Sequence, residues 1–403
     1  MSTAPAKVLA RKRLRVLTVL LTSSLAFLAP SAIAPGLPAL QADFAHVENA
    51  AFLSPLVLTM PMLFIALASP FAGYAVDRYG RRRILIVSTL LYGLAGVSGL
   101  AVESIFALLA SRAFLGVFLA GIMTSVTALV GDYFVGEERN RVAGLQGAFM
   151  SLGTLTFVVI AGLLAEIHWR VGFTLFAVAF LLLPLMFASL YEPDRDVART
   201  VSGSEPPPTL RQWSAIGLVC GLAFVTLIFM FMIPSQTAFF LVEIGVEDPT
   251  RAGLAIGLFN LSAGTASLTY GWLRSRVSPE SIFALLFAVG GLGFVLTGFS
   301  ESFTGTMIAM GIGGFSMGAF LPNVNLAIIS RTSMAVRGRA LGALTTSFFM
   351  GQFLSPVWAV PIAAARSVGH AFLVSGYLLL AMSAMFLAVV VWRRLLGARE
   401  EMR

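Results

Sequence analysis

Hydrophobic residues occur along the chain in long runs that are separated by short polar segments. Each run holds about 20 mostly apolar residues, the length that an α-helix needs to cross the hydrocarbon core of a bilayer. Runs of this kind recur from one end of the sequence to the other. The pattern predicts twelve transmembrane helices, at 16–40, 51–74, 84–102, 105–130, 142–165, 171–190, 213–241, 252–273, 281–299, 304–329, 342–362 and 371–392.

The longest polar stretch of the sequence runs from Tyr191 to Gln212. It contains prolines, serines, glycines and charges of both signs, a composition that is typical of flexible linkers. Six hydrophobic runs precede it and six follow it. We therefore expect an N-terminal six-helix bundle at 1–190, a cytoplasmic linker at 191–212 and a C-terminal six-helix bundle at 213–403.

The two halves resemble each other in an ungapped register. Gly73 aligns with Gly271, an offset of 198 residues that superimposes hydrophobic run on hydrophobic run. Parallel repeats of this kind form two bundles that rock about a site between them. The predicted fold is therefore an all-α membrane protein with twelve transmembrane helices in two pseudo-symmetric six-helix bundles. Further identical pairs at this offset are Arg78 and Arg276, Gly116 and Gly314, Arg139 and Arg337, Arg141 and Arg339, Gly144 and Gly342, and Gly153 and Gly351.

Composition and charge placement agree with this interpretation. Hydrophobic residues make up 58% of the chain and charged residues 11%, against about 25% charged residues in soluble domains. Twenty-three of the 27 basic residues fall in the tails and in alternate loops, while Arg170, Arg251 and Arg366 fall in the others and Arg112 inside a run. Since cytoplasmic loops carry the excess of basic residues, we expect a bacterial inner (plasma) membrane protein with both termini in the cytoplasm.

Several classes of function are disfavoured by what the sequence lacks. Cys220 is the only cysteine, and His46, His168 and His370 are far apart, which excludes an intramolecular disulfide and gives no cluster for a metal. No phosphate-binding loop, nucleophile motif or pair of intramembrane carboxylates occurs, so we expect neither ATP-driven transport nor a membrane enzyme, and no cofactor. The predicted tails, about fifteen and eleven residues, are too short for the signalling domain of a ligand sensor.

A short motif joins the second and third predicted helices. It reads Gly73-Tyr74-Ala75-Val76-Asp77-Arg78-Tyr79-Gly80-Arg81-Arg82-Arg83-Ile84. This segment resembles the signature of the major facilitator superfamily, in which a helix-ending glycine, an aspartate, a basic residue, a glycine and a basic cluster follow in this order. The resemblance implies the major facilitator fold and a small-molecule transporter that works as a monomer.

The same resemblance implies roles for the motif residues. Gly73 would let a neighbouring helix approach closely, and Gly80 would permit the tight turn. Asp77 and Arg78 would belong to a latch at the cytoplasmic ends of the helices, with Asp77 facing the positive N-terminus of another helix. Asp132, at the inner end of the fourth helix, is the expected partner of Arg78 or Arg82. In the alternative interpretation, the basic cluster that includes Arg81 and Arg82 only sets the topology.

Arg112 is the one charged residue predicted well inside a helix. Charges at such depth cost several kcal/mol and usually mark a transport pathway or a coupling site. With Gly116 four residues later, Arg112 resembles the family's fourth-helix motif, which is associated with proton-linked transport. Leu115 stands where a glutamine is common in that motif. The alternative is an arginine that snorkels to the external interface.

Aspartate and glutamate are absent from the middle of every predicted helix. Transporters of cationic drugs often place a carboxylate in the cavity, so its absence beside Arg112 favours anionic, zwitterionic or neutral amphiphilic substrates. Protons are the expected coupling ion. Asp43 and Glu243, near the outer ends of the first and seventh helices, are possible proton carriers.

The direction of transport is less clearly marked. The glycine-proline pair that the drug-antiporter branch carries in its fifth helix is replaced here by Phe157-Val158. However, the stretch Ala34–Leu40 resembles the proline-rich end of the first helix in bacterial efflux members. The leading hypothesis is therefore proton-driven export of small amphiphilic compounds, and the alternative is a proton symporter that imports an organic anion or another metabolite.

Uncharged polar residues in the predicted helices are candidates for substrate contact. In the architecture that the resemblance implies, the first, fourth, seventh and tenth helices line the cavity. The alternative is that these side chains bond neighbouring helices to one another. The candidates in or near the cavity are Gln236, Asn260, Asn323, Asn325 and Gln352.

Overall fold

A computed structural model describes residues 4–193, 210–330, 332 and 334–401. Within these ranges the secondary structure is α-helix and short 3-10 helix, with no strand. The first half contains α1 (Ala4–Ile33), α2 (Leu37–Asp43), α3 (Ala50–Tyr79), α4 (Arg81–Val97), α5 (Ile105–Tyr133), α6 (Gly136–Ile167) and α7 (Val178–Ser189). The second half contains α8 (Leu210–Met230), α9 (Met232–Glu243), α10 (Pro249–Arg274), α11 (Pro279–Gly298), α12 (Phe303–Ile329), α13 (Met334–Ala365) and α14 (Val368–Glu401).

Twelve helical segments of the described residues are long and apolar enough to cross a membrane. Each coincides with one of the predicted hydrophobic runs, so the predicted number and positions of the spans are confirmed. Several helices are longer than predicted: the fifth span covers Gly136–Ile167, six residues earlier than its hydrophobic run. Helical hydrogen bonds continue through charged residues at a span's end, whereas a hydropathy signal stops there.

The chain divides into two compact units. One comprises Met1–Ser202 with Asp248–Gly253, and the other comprises Gly203–Glu247 with Leu254–Arg403. Residues 194–209 of the predicted linker lie outside the described residues, so the boundaries 1–190, 191–212 and 213–403 stay a prediction. Tyr191 and Glu192, the first two residues of the predicted linker, make specific contacts with the first unit.

The first helix of each unit is interrupted at the same place in the repeat. In the first span a 3-10 turn, Ala34–Gly36, separates α1 from α2; in the seventh, Phe231 separates α8 from α9. Pro35 and Pro234 explain the breaks, because proline lacks the N–H group and its ring clashes with the carbonyl four residues earlier. Ile33, the last residue of α1, and Phe231 are related by the 198-residue offset, so the repeat extends to the backbone geometry.

Close helix crossings are also repeated. A Cβ atom added to Gly116 in α5 would lie 2.8 Å from the Cα of Pro61 in α3, and one added to Gly314 in α12 would lie 2.9 Å from the Cα of Phe259 in α10. Pro61 and Phe259 are themselves related by the repeat offset. Small residues at such crossings let two backbones approach without an intervening side chain. Gly116 is therefore a packing residue of the first unit.

We expect Gly116→Ala to destabilise the protein, because the added methyl group meets backbone atoms of α3 that cannot move aside. Overpacking of this kind costs about 1–3 kcal/mol, which should lower the thermal unfolding temperature of the detergent-purified protein by several degrees. Gly147→Ala is the matched control, since a Cβ there meets no atom within 4 Å. Equal unfolding temperatures for the two variants would remove the packing role. Lost transport at unchanged stability would instead support the coupling role that the fourth-helix resemblance implies.

Candidate functional site

The turn between α3 and α4 requires a glycine. Gly80 has φ +103° and ψ 148°, a conformation that L side chains rarely adopt. A Cβ at this position would also lie 2.8 Å from the carboxylate carbon of Glu192. Gly80 in the centre of the signature motif is therefore required for two reasons: its backbone conformation and the space that Glu192 needs.

Glu192 caps the N-terminus of α4. Its Oε1 accepts a hydrogen bond from the backbone N–H of Arg81 at 2.7 Å, and its Oε2 accepts one from the backbone N–H of Arg82 at 3.1 Å. The first N–H groups of a helix have no partner in the helix, so a carboxylate can accept their hydrogen bonds. That end of the helix also carries partial positive charge, which favours the negative charge of the carboxylate. Sequence reasoning missed this residue. Its position directly after the sixth span was the available signal.

The backbone that carries Glu192 is held by an aromatic cluster. The guanidinium carbon of Arg15 lies 5.1 Å from the ring centroid of Tyr133 and 4.5 Å from that of Tyr191. The Tyr133 hydroxyl donates to the carbonyl of Tyr191 and accepts from its N–H. These contacts join α1, α5 and the chain after α7, and they place Glu192 beside Gly80.

Asp132 pairs with the basic cluster through Arg81, which was not among the predicted partners. The Arg81 Nε lies 2.9 Å from the Asp132 Oδ2, with side chains 12% and 23% exposed. Arg78 and Arg82 were the expected partners. The Arg82 guanidinium instead lies toward α7, where it donates to the carbonyl of Phe187 at 3.4 Å. Because Arg81 is the first residue of α4, its pairing ties the motif to the end of α5.

Gly73, Asp77 and Arg78 form the other part of the motif, in the last two turns of α3. A Cβ at Gly73 would meet no atom within 4 Å, so the predicted close approach of a neighbouring helix at this glycine is absent. Asp77 and Arg78 lie on exposed positions of the last turn of α3. Among the described residues, Asp77 has no hydrogen bond or ion pair. The structure thus brings Gly80, Arg81, Arg82 and Asp132 together, with Glu192 as an unpredicted member.

Arg112 is fully buried, at 0% exposure, and it caps the other end of α4. Its Nη2 donates to the carbonyls of Ala95 at 2.5 Å and Gly96 at 3.1 Å, in the last turn of α4. Its guanidinium carbon lies 4.9 Å and 5.2 Å from the ring centroids of Phe173 and Phe176. The final carbonyls of a helix lack helical partners and favour a cation. Arg112 therefore does not snorkel to an interface, and its charge is engaged inside the first unit.

Two of the uncharged polar candidates make hydrogen bonds within the second unit. Asn323 is fully buried; its Nδ2 donates to the carbonyl of Pro279 at 3.2 Å, and its Oδ1 accepts from the Tyr270 hydroxyl at 3.3 Å. It joins α12 to α10 and α11, as the helix-bonding alternative proposed. Asn260 donates to the carbonyl of Ile256, one turn earlier in its own helix, at 2.8 Å.

The structure shows no hydrogen bond between the side chains of the other three candidates and a neighbouring helix among the described residues. Gln236 in α9 is 2% exposed, and its Nε2 has no hydrogen-bond partner in the described structure. Asn325 in α12 and Gln352 in α13 are partly exposed. No hydrogen bond joins any two of the five candidates within the residues described. The structure therefore does not gather them into one hydrogen-bonded site.

Comparisons with known proteins agree with this architecture. The family model of the Major Facilitator Superfamily matches residues 19–247, more than half of the chain. "Multidrug resistance protein 1" of Bacillus subtilis (strain 168) is 33% identical over 187 residues, which are 45% of this chain and 46% of the relative. The "3-(3-hydroxy-phenyl)propionate transporter" of Escherichia coli (strain K12) is 26% identical over 255 residues, 62% of this chain and 61% of the relative. Both matches span less than two thirds of the relative's own length.

The fold itself matches solved structures over nearly the whole chain. A D-xylose-proton symporter superimposes with a TM-score of 0.73 at 15% identity, covering 92% of this chain and 96% of that one. At this identity the likeness shows the fold alone. The signature motif, the twelve spans and the matched family model lead to one conclusion: the chain is a multi-pass membrane protein that belongs to the Major Facilitator Superfamily.

Proposed function

We propose that this transporter uses the proton motive force to export small amphiphilic compounds across a bacterial inner membrane, by alternating access of its two bundles. The observation that carries the direction is the 33% identity to a protein named for multidrug resistance. The proline-rich end of the first span supports it, since that stretch forms a distinct turn, Ala34–Gly36, before α2. We further propose a monomer with both termini in the cytoplasm.

The substrates that we propose are neutral, zwitterionic or anionic, with neutral compounds favoured. No aspartate or glutamate lies in the middle of a span, which gives a cationic substrate no counter-charge there. The structure weakens the argument for anions, however, because the charge of Arg112 is already bound to the carbonyls of Ala95 and Gly96. The Nη1 of this guanidinium has no hydrogen-bond partner among the described residues, so one fully buried NH₂ group is what Arg112 has left for a substrate carboxylate.

Two carboxylates remain as proposed proton carriers. Asp43 lies at the end of α2, where its Oδ2 is 3.2 Å from the Trp169 Nε1 and 3.2 Å from the Arg170 Nη2. Glu243 ends α9 and accepts from the backbone N–H groups of Val368 at 2.6 Å and Gly369 at 3.1 Å. Each is tied to a neighbouring element, so binding or loss of a proton would change a helix contact.

Import is the second candidate. Phe157-Val158 in place of the fifth-helix glycine-proline pair supports it, since that pair is typical of the drug-antiporter branch. The relative that is named as a 3-(3-hydroxy-phenyl)propionate transporter supports an organic anion as the substrate. The substrate would then be an organic anion or another metabolite taken up with protons.

Accumulation in an efflux-deficient bacterium tests the direction. Cells with and without the protein receive anionic, neutral and cationic amphiphiles, each with and without a protonophore. We expect neutral compounds to accumulate several-fold less in cells that express the protein, and the protonophore to abolish the difference. Higher accumulation of any compound would establish import, and lower accumulation of cations alone would overturn the charge argument.

We expect Asp77→Asn to lower the transport rate several-fold while expression stays close to that of the wild type. The proposed reason is that Asp77 stabilises one state of the transport cycle as part of the latch, without contributing contacts to the state described here. Glu137→Gln, which removes an exposed carboxylate from the first turn of α6, is the matched control. An Asp77→Asn variant with the control's turnover would exclude the latch role.

Arg112→Ala should reduce both stability and transport, because it removes two charge-assisted hydrogen bonds to the last turn of α4 and the guanidinium that packs over the rings of Phe173 and Phe176. Hydrogen bonds to charged groups contribute about 1.5–3 kcal/mol each, so we expect a large fall in unfolding temperature. Arg112→Lys should recover little, since a lysine lacks the planar fork that reaches both carbonyls while contacting the two rings. A stable alanine variant without coupled transport would instead place Arg112 in the coupling machinery.

A further inference from the structure

A cavity of about 310 Å³ lies at the N-terminus of α11 in the second unit. Its polar lining consists of two arginines, two serines and one glutamate, and its apolar lining consists of Val277 and Val390. None of these residues belongs to the signature motif or to the predicted substrate contacts. The polar lining residues are Arg276, Ser278, Glu280, Ser281 and Arg393.

The chemistry of this cavity suits a phosphate group. Arginine binds phosphate through several N–H donors in a planar fork, and the partial positive charge at a helix N-terminus favours an anion. Pro279, the first residue of α11, has no N–H, so the arginines supply most of the donors. Ser278 caps α11 by accepting from the Ser281 N–H at 3.2 Å, and the two hydroxyl oxygens are 3.0 Å apart. Glu280 is paired with Arg393, with 2.7 Å between its Oε1 and the arginine Nη1. Two arginines and one glutamate leave one net positive charge.

The internal repeat supports the same conclusion. By the 198-residue offset, Ser278 corresponds to Gly80 and Val390 corresponds to Glu192. In the first unit, the Glu192 carboxylate binds the N-terminus of α4. In the second unit, α14 continues as a helix through position 390, where the residue is apolar, and the equivalent region contains the cavity. The first unit thus supplies its own anion where the second leaves space for one.

The surroundings indicate where that anion comes from. Trp272 and Trp392 are 59% and 65% exposed, near the ends of α10 and of the twelfth span. The Arg276 guanidinium lies 4.1 Å from the Trp272 ring centroid. Exposed tryptophans at the ends of spans are typical of the membrane interface, where lipid headgroups lie. Basic pockets at this level bind anionic headgroups.

We propose that this cavity binds the phosphate of an anionic phospholipid headgroup. The proposal is independent of the direction of transport and of the substrate. It predicts preferential binding of phosphatidylglycerol over phosphatidylcholine, through Arg276 and Arg393, with Glu280 opposing it.

The test uses the purified full chain in lipid nanodiscs of defined composition, with bound lipid counted by native mass spectrometry. We expect Arg276→Gln to weaken phosphatidylglycerol binding about tenfold, the effect of losing one charge-assisted contact. Glu280→Gln should strengthen binding, because it removes the cavity's negative charge and releases Arg393. Arg366→Gln removes an exposed arginine from the loop before α14 and should leave binding unchanged.

Unfolding temperatures in phosphatidylcholine establish that each variant is folded before binding is compared. Equal losses of phosphatidylglycerol binding in Arg276→Gln and Arg366→Gln would show that binding depends on general surface charge, and would overturn the proposal. So would weaker binding in Glu280→Gln. If inorganic phosphate stabilises the protein as strongly as phosphatidylglycerol does, the site takes a soluble anion, and the lipid assignment is wrong.

Discussion

A helix in a bilayer must have the polar groups at both of its ends satisfied by protein or by the interface, because the hydrocarbon offers no partner. The third span meets this requirement at both ends through charged side chains from elsewhere in the first unit. Glu192 binds the N–H groups at the start of α4, and Arg112 binds the carbonyls at its end. The two charges match the helix dipole, negative at the positive end and positive at the negative end. The position of the signature motif depends on this arrangement, since the motif's glycine lies directly against Glu192.

The repeat shows that this arrangement belongs to one half only. Packing is duplicated: the crossing at Gly116 recurs at Gly314, and the break after α1 recurs after α8. Charge is not. Met310 and Val390 occupy the positions that correspond to Arg112 and Glu192, and α11 is capped at its start by its own Ser278. The fold is therefore a symmetric scaffold whose electrostatic specialisation lies in the first unit. Asymmetry of this kind allows one bundle to carry the latch that we propose.

The sequence allowed the spans, the repeat and the fold to be predicted, because each depends on hydrophobicity, glycine and proline at known spacings. The sequence did not allow us to predict which side chains and backbone groups the charged residues contact. Arg78, Arg81 and Arg82 are close in sequence, but successive helical residues point about 100° apart, and only the three-dimensional path of α5 decides that Asp132 meets Arg81. Arg112 was recognised as unusual, yet its partners lie 16 and 17 residues earlier, at the end of another helix. A periodic pattern of residues in the sequence does not predict a contact between a side chain of one helix and the end of another.

These contacts also limit which residues are left for transport chemistry. Arg112, Asn323 and Asn260 all bond to backbone or side chains of their own unit, so recruiting them to a substrate would break a contact that supports the fold. Gln236 differs from the two asparagines, because its amide nitrogen is buried without a partner in the part of the chain that the structure describes, a condition that the Nη1 of the charged Arg112 also shows. The hydroxyls of Ser235 and Thr237 share this condition. A buried polar atom without a partner costs about 1–3 kcal/mol, and that cost is recovered when water or a polar substrate group supplies the missing bond. Of the residues singled out by the sequence, Gln236 is thus the one whose surroundings favour an uncharged, hydrogen-bonding ligand over a structural role.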